Sequence, residues 1–139
     1  MKRLAIIAMM VGLLPTGGAA QMSNASAYLM QQEIELACDR AGEFDPRGVI
    51  ERDLTGDGRA DLILSHEWIT CAGQAKRSGY CGMQVCTMKV FVRESALLRL
   101  KLEMLAGGVT VGPTDVPVIS GYAHGGGAWA IRWNGRAFR

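Results

Sequence analysis

Residues 53 to 61 read Asp53-Leu54-Thr55-Gly56-Asp57-Gly58-Arg59-Ala60-Asp61, three carboxylates around a glycine turn, and the apolar run Leu62-Ile63-Leu64 follows at once. Hard cations take roughly six to eight oxygens, and calcium loops collect them from side chains at positions 1, 3, 5 and 9, a backbone carbonyl at 7 and a glycine at 6. Counted from Asp53, these places fall on Asp53, Thr55, Asp57, Asp61, the Arg59 carbonyl and Gly58. The chemistry on offer is the binding of one structural calcium ion. The same residues also suit a metal-free hairpin connection, with the aspartates capping backbone amides and Gly56 and Gly58 supplying positive φ.

Other reactive residue types are sparse. His66-Glu67 is followed by Thr70 where the helical zinc motif H-E-x-x-H needs its second histidine, so that motif is absent. His124 precedes Gly125-Gly126-Gly127 and reads as an exposed loop residue, and that glycine run lacks the Lys-Ser/Thr of a phosphate loop. No nucleophile signature accompanies either histidine. A hydrolase would therefore need a convergent site around His66 and Glu67.

Four cysteines, Cys38, Cys71, Cys81 and Cys86, allow three pairings. Their spacings are not the short paired ones of zinc sites, and an even count in an exported chain favours two disulfides. Cys38 lies on the apolar stripe of a helix and Cys86 on the apolar face of a strand. Those positions favour Cys38–Cys86, which staples helix to sheet, with Cys71–Cys81 closing the loop between. The first rival is Cys71–Cys86 across neighbouring strands.

Export itself is read from Lys2-Arg3, the 11-residue apolar run Leu4 to Leu14, and Gly18-Ala19-Ala20, the three-part layout of a secretory leader spanning residues 1–20. The run falls short of the roughly 20 residues that cross a bilayer. Residues 21–139 are then one domain in the periplasm or outside the cell. Without Lys2 and Arg3 the 13 remaining basic residues equal the 13 acidic ones. A neutral chain with no basic run lacks the electrostatic footprint of a nucleic-acid binder. It is equally unsuited to anionic membrane surfaces.

The elements that must carry these residues follow from periodicity. Met30, Ile34, Ala37, Cys38 and Ala41 recur at three- and four-residue spacing and predict one helix over 28–40, stopped by Gly42. Alternation predicts strands over 49–53 and 61–68, flanking the acidic loop, and over 85–93 and 97–105. In the last of these Leu98, Leu100, Leu102 and Met104 share one side. Trp129, Ile131 and Trp133 share a face, and Asn134-Gly135 predicts a type I′ turn that returns the chain to Phe138. The expected fold is α+β: one N-terminal helix on an antiparallel sheet of about five to seven strands, stapled by disulfides and monomeric.

The acidic loop, with Asp53, Asp57, Gly58, Asp61 and the strand Leu62 to Leu64, resembles the FG-GAP and VCBS type of calcium loop. It departs from the EF-hand and dockerin type, because position 12 is Leu64 and flanking helices are missing. The resemblance covers about twelve residues in one copy and implies a hairpin stiffened by an ion. Ser120-Gly121-Tyr122 resembles the Ser-Gly loop of lysozyme inhibitors, without its downstream tyrosine spacing.

Together these features predict a non-enzymatic exported domain that binds one structural calcium ion and a protein or glycan partner. Tyr80, Lys76 and Arg77, on the cysteine-bounded excursion, are the expected contact residues. An inhibitor of a cell-wall hydrolase or protease is the alternative, and a small hydrolase the second alternative.

Overall fold

In a computed structural model that describes residues 21–73 and 76–139, Ser23 sets the first element by accepting the Ser26 amide at 3.2 Å, an N-cap that satisfies one free helix donor. Helix α1 (Asn24–Ala37) follows. It starts four residues before the expected Tyr28, because its first turn is polar and carries no apolar period. It ends before the expected Arg40, where Cys38 turns extended at φ −125° and ψ 129°. The expected leader, residues 1–20, lies outside the described residues.

The strands are β1 (Gly42–Phe44), β2 (Val49–Arg52), β3 (Asp61–Ser65), β4 (Ile69–Cys71), β5 (Cys86–Glu94), β6 (Leu97–Val111), β7 (Ile119–Tyr122) and β8 (Ala128–Ile131). Six of them make a curled antiparallel sheet in the order β2-β3-β5-β6-β7-β8, and β1 pairs with β4 in a separate ribbon. The α+β architecture read from the periodicities is the one observed. The strand expected over 61–68 is shorter, because His66–Trp68 form a 3₁₀ turn between β3 and β4.

Two cores flank the sheet. Its inner face buries Leu54, Ile63, Met88, Val90, Val92, Ala106, Ile119 and Phe138, with Trp129, Ile131 and Trp133 packed against them. The outer face of β3 and β5 presents Leu62, Leu64 and Phe91 to Leu29 and Met30 of α1. Each such side chain removed from water contributes about 1.5–3 kcal/mol.

The leucines of β6 do not share one side as expected. Val90 pairs with Leu102 while Phe91 pairs with Leu100, so Lys101 is an unpaired bulge residue. A bulge puts two residues opposite one and shifts the alternation. Leu98 consequently joins the outer cluster under α1, whereas Leu102 and Met104 join the inner core. Near the end of the chain Trp133 pairs with Phe138, but only Gly135 of the turn has positive φ, at 93°. Type I′ needs positive φ at both central residues, and here the central pair is Gly135-Arg136, because the Asn134 amide donates to the Ala137 carbonyl.

Candidate functional site

The acidic loop closes the β2–β3 hairpin, whose register runs from Val49↔Leu64 to Arg52↔Asp61. Each of its carboxylates accepts from nearby donors. Asp53 Oδ1 accepts the amides of Thr55 and Gly56 at 3.0 and 2.7 Å, and its Oδ2 accepts that of Gly58 at 2.7 Å. Gly56 and Gly58 have φ of 81° and 80°, the conformations a side chain would strain. Asp57 accepts the amide and guanidinium of Arg59. Asp61 is fully buried, and its oxygens accept the amides of Leu54 and Arg93, both at 2.8 Å. Leu54 itself is a plug in the inner core, with no exposed surface.

Of the expected calcium ligands, Asp53 and Asp57 thus lie toward solvent, while Asp61 turns into the protein. Burial raises the Asp61 pKa above its ordinary value; its two amide bonds oppose the rise, and the charges of Asp57 and Asp53 add to it. The loop is held by amide-to-carboxylate bonds together with the Arg59 guanidinium on Asp57. Among the described residues no group of three or more histidine, cysteine or acidic side chains converges as a metal cage would require.

A different constellation lies under α1. Glu33 from the helix, His66 from the 3₁₀ turn and Ser78 from the excursion after β4 form a continuous relay with exposures of 5%, 0% and 3%. His66 Nε2 lies 2.9 Å from Glu33 Oε2, and Nδ1 lies 2.8 Å from Ser78 Oγ. Lys89 of β5 donates to both Glu33 oxygens at 2.9 and 2.8 Å. The Tyr80 amide donates to Ser78 Oγ. Since a carboxylate accepts only, Nε2 carries the proton, and the Ser78 hydroxyl is free to donate to Nδ1. Every hydrogen-bonding atom of the three side chains then has a partner. Burial pushes the Glu33 carboxyl up, but its bonds to His66 and Lys89 and their charges outweigh this and hold it below the ordinary value.

Hydroxyl, imidazole and carboxylate in series are the parts by which a serine nucleophile is activated. Here Ser78 is enclosed, its oxygen already accepts an amide, and the Glu33 charge is neutralised by Lys89. The Tyr80 and Phe44 rings flank His66 at 5.1 and 6.4 Å. In this setting the relay is a polar lock joining four segments of the chain.

That lock holds the excursion that follows β4. The Cys71 amide donates to the Lys76 carbonyl, and Gly79 donates to Ala37 at the helix end. Thr87 donates to Tyr80, and Gly82 to Val85, which closes a tight turn. Arg77 folds back, with Nη1 on the Gly82 carbonyl at 3.1 Å and Nη2 3.6 Å from Cys86 Sγ. Outward from this base stand Tyr80, 40% exposed, and Met83, 97% exposed. A cleft of about 490 Å³ beside it is lined by Ala37, Asp39, Arg40, Arg77 and Gly79, among others.

The disulfides are Cys38–Cys71 and Cys81–Cys86, neither the expected Cys38–Cys86 with Cys71–Cys81 nor the rival Cys71–Cys86. The reason is a face. Cys86 shares the inner side of β5 with Met88 and Val90, while α1 packs on the outer side over Leu62, Leu64 and Phe91. Cys38 therefore reaches Cys71 in the ribbon beneath the helix end, packed with Ile34, Ala37 and Ile69.

Of the expected contact residues, Lys76 is exposed, Arg77 is exposed but bound to the Gly82 carbonyl, and Tyr80 is exposed on one side only. Glu67, expected beside His66 in a hydrolase site, instead accepts the Gly108 amide at 2.9 Å. His124 is exposed, as expected. Ser120-Gly121-Tyr122 lies inside β7 and not in a loop. The relay residues Glu33, Ser78 and Lys89 escaped the sequence reading. The available signal was a glutamate beside the buried Ile34 on the helix and a lone histidine continuing the face of Leu62 and Leu64. No family model matches the chain, and neither a curated protein nor a solved structure matches it.

Proposed function

We propose that this chain is a non-enzymatic exported binding module that presents the excursion between β4 and β5 to a protein or glycan partner. The observation behind this reading is a contrast within one segment. The base is tied down by two disulfides and a buried ionic relay, while Tyr80 and Met83 stand in solvent above it. A backbone already tied in place has less freedom to lose on binding, and aromatic residues and methionine are enriched where proteins meet.

An inhibitor of an exported hydrolase is the narrower form of the same reading. Met83 at the tip of a disulfide-closed turn has the form of a side chain offered to a cleft. Turnover by the relay is disfavoured by the enclosure of Ser78. In the loop at 53–61 a calcium ion would be a structural addition drawing on Asp53, Thr55, Asp57 and the Arg59 carbonyl, with Asp61 committed to its two amides.

The test is binding of the oxidised protein to lysozyme, to an exported serine protease and to soluble peptidoglycan fragments, by interferometry. A bound partner is expected to be weakened at least about tenfold by the double change Tyr80→Ala and Met83→Glu, as loss of a hot spot requires. Equal binding by this variant would reject the excursion as the contact. Undiminished lysis in the presence of excess protein would reject the inhibitor form.

A further inference from the structure

We propose that Cys81 is a thiol-exchange site, at which an external dithiol opens the Cys81–Cys86 bond with Cys86 as the leaving thiolate. Three observations carry this. Cys81 is partly exposed, whereas Cys86, Cys38 and Cys71 are 1%, 6% and 7% exposed. The Arg77 guanidinium lies 3.6 Å from Cys86 Sγ and is anchored there by its bond to the Gly82 carbonyl. The Cys38–Cys71 bond, by contrast, sits in an apolar cluster with Ile34, Ala37 and Ile69. Access selects which sulfur is attacked, and a cation beside the departing sulfur stabilises the thiolate that forms.

The exchange balances as follows. One thiolate of the dithiol attacks Cys81 Sγ and forms a mixed disulfide, while the Cys81–Cys86 bond breaks and its electron pair passes to Cys86 Sγ. The second thiol loses its proton and attacks its partner sulfur in that mixed disulfide. Cys81 leaves and takes up a proton. The dithiol is oxidised to a cyclic disulfide, and the protein gains two electrons.

Opening this bond removes the covalent restraint on the turn that carries Met83 and Gln84 and leaves it to its hydrogen bonds, while the relay and Cys38–Cys71 still hold the base of the excursion. The contact surface is then shaped only in the oxidised protein. That consequence rests on the binding reading; the exchange chemistry does not.

The whole exported chain is incubated with excess glutathione, alkylated with iodoacetamide and mapped by peptide mass spectrometry. The expected result is glutathione on Cys81, an alkyl group on Cys86 and an intact Cys38–Cys71 bond. With dithiothreitol, opening should slow about threefold in Arg77→Met, where the departing thiolate loses its cation, and Arg77→Lys should restore most of the rate. Glutathione on Cys86, earlier opening of Cys38–Cys71, or an unchanged rate in Arg77→Met would overturn the proposal. No partner is needed for this readout. Failure of the binding reading would appear instead as Cys81 exchange combined with partner binding indifferent to Tyr80 and Met83.

Discussion

Glu33 and Asp61 are both buried carboxylates that accept hydrogen bonds on both oxygens, yet burial leaves them on opposite sides of the ordinary carboxylate value. Burial raises the Asp61 pKa, the repulsion of Asp57 and Asp53 adds to it, and two neutral amides oppose the rise without cancelling it. Glu33 is met by the Lys89 ammonium and the His66 ring, so its pKa is lowered. The Asp61 amides come from the loop and from β5 and carry no charge, whereas the Lys89 ammonium ties β5 to the helix through a charge. The first arrangement suits a connection and the second a lock.

The largest effect should come from breaking the lock. Glu33→Ala removes the carboxylate that, among the described residues, alone bonds both His66 and Lys89, and loss of one partner from a buried pair costs about 3–5 kcal/mol. Replacing both charges, as in Glu33→Gln with Lys89→Met, keeps an acceptor for His66 and should recover most of that in urea unfolding. A double variant as unstable as Glu33→Ala would show that the pair is not coupled. The acid limb supplies the sign. Because folding lowers the Glu33 pKa below its ordinary 4.5, its contribution is complete above that value and lost as pH falls through the folded value. The double variant should lose stability less steeply there. Asp61 works in the opposite sense, since its contribution declines as pH rises through the ordinary 3.8.

The two regions also differ in how far they could be read from the chain. Most of the hairpin around 53–61 is local: alternation on either side, glycines where positive φ is needed, and Asp53 and Asp57 two to five residues from the amides they accept, whereas Asp61 reaches Leu54 at 7 positions and Arg93 at 32. The lock is built from pairs separated by 12, 33 and 56 positions, and no periodicity links them. The disulfides failed for a related reason. Alternation placed Cys86 on the apolar face of β5, but α1 packs on the opposite face, where Phe91 stands among Thr87, Lys89 and Arg93, and alternation does not say which face the helix covers. The Lys101 bulge is likewise invisible to a pattern of leucines that continues across it.

The next effect should be confined to the loop. Leu54→Ala empties a fully buried site in the inner core and should cost about 3 kcal/mol. If the regions are as independent as their bonding indicates, thiol release from Cys81–Cys86 in mild dithiothreitol should keep its wild-type rate in this variant. A faster release would mean that the loop helps to hold the excursion, and the contrast between the regions would lose its meaning.

The smallest effect concerns calcium. A site of millimolar affinity, typical of extracellular calcium modules, adds only about 0.4 kcal/mol at one millimolar ion, a rise of roughly 1–2 °C in Tm. The increment should be that small because the Asp53 oxygens an ion would draw on already accept amides at 2.7 Å, and Asp61 is fully buried with an amide on each oxygen. Melting in calcium and in EDTA measures it, and Asp53→Asn should erase the difference. Identical melts for the unaltered protein would remove the metal and leave the loop as a hairpin closed by its own amides. A rise of ten degrees would instead require Asp61 to leave its amides, and the loop could no longer be described as self-sufficient.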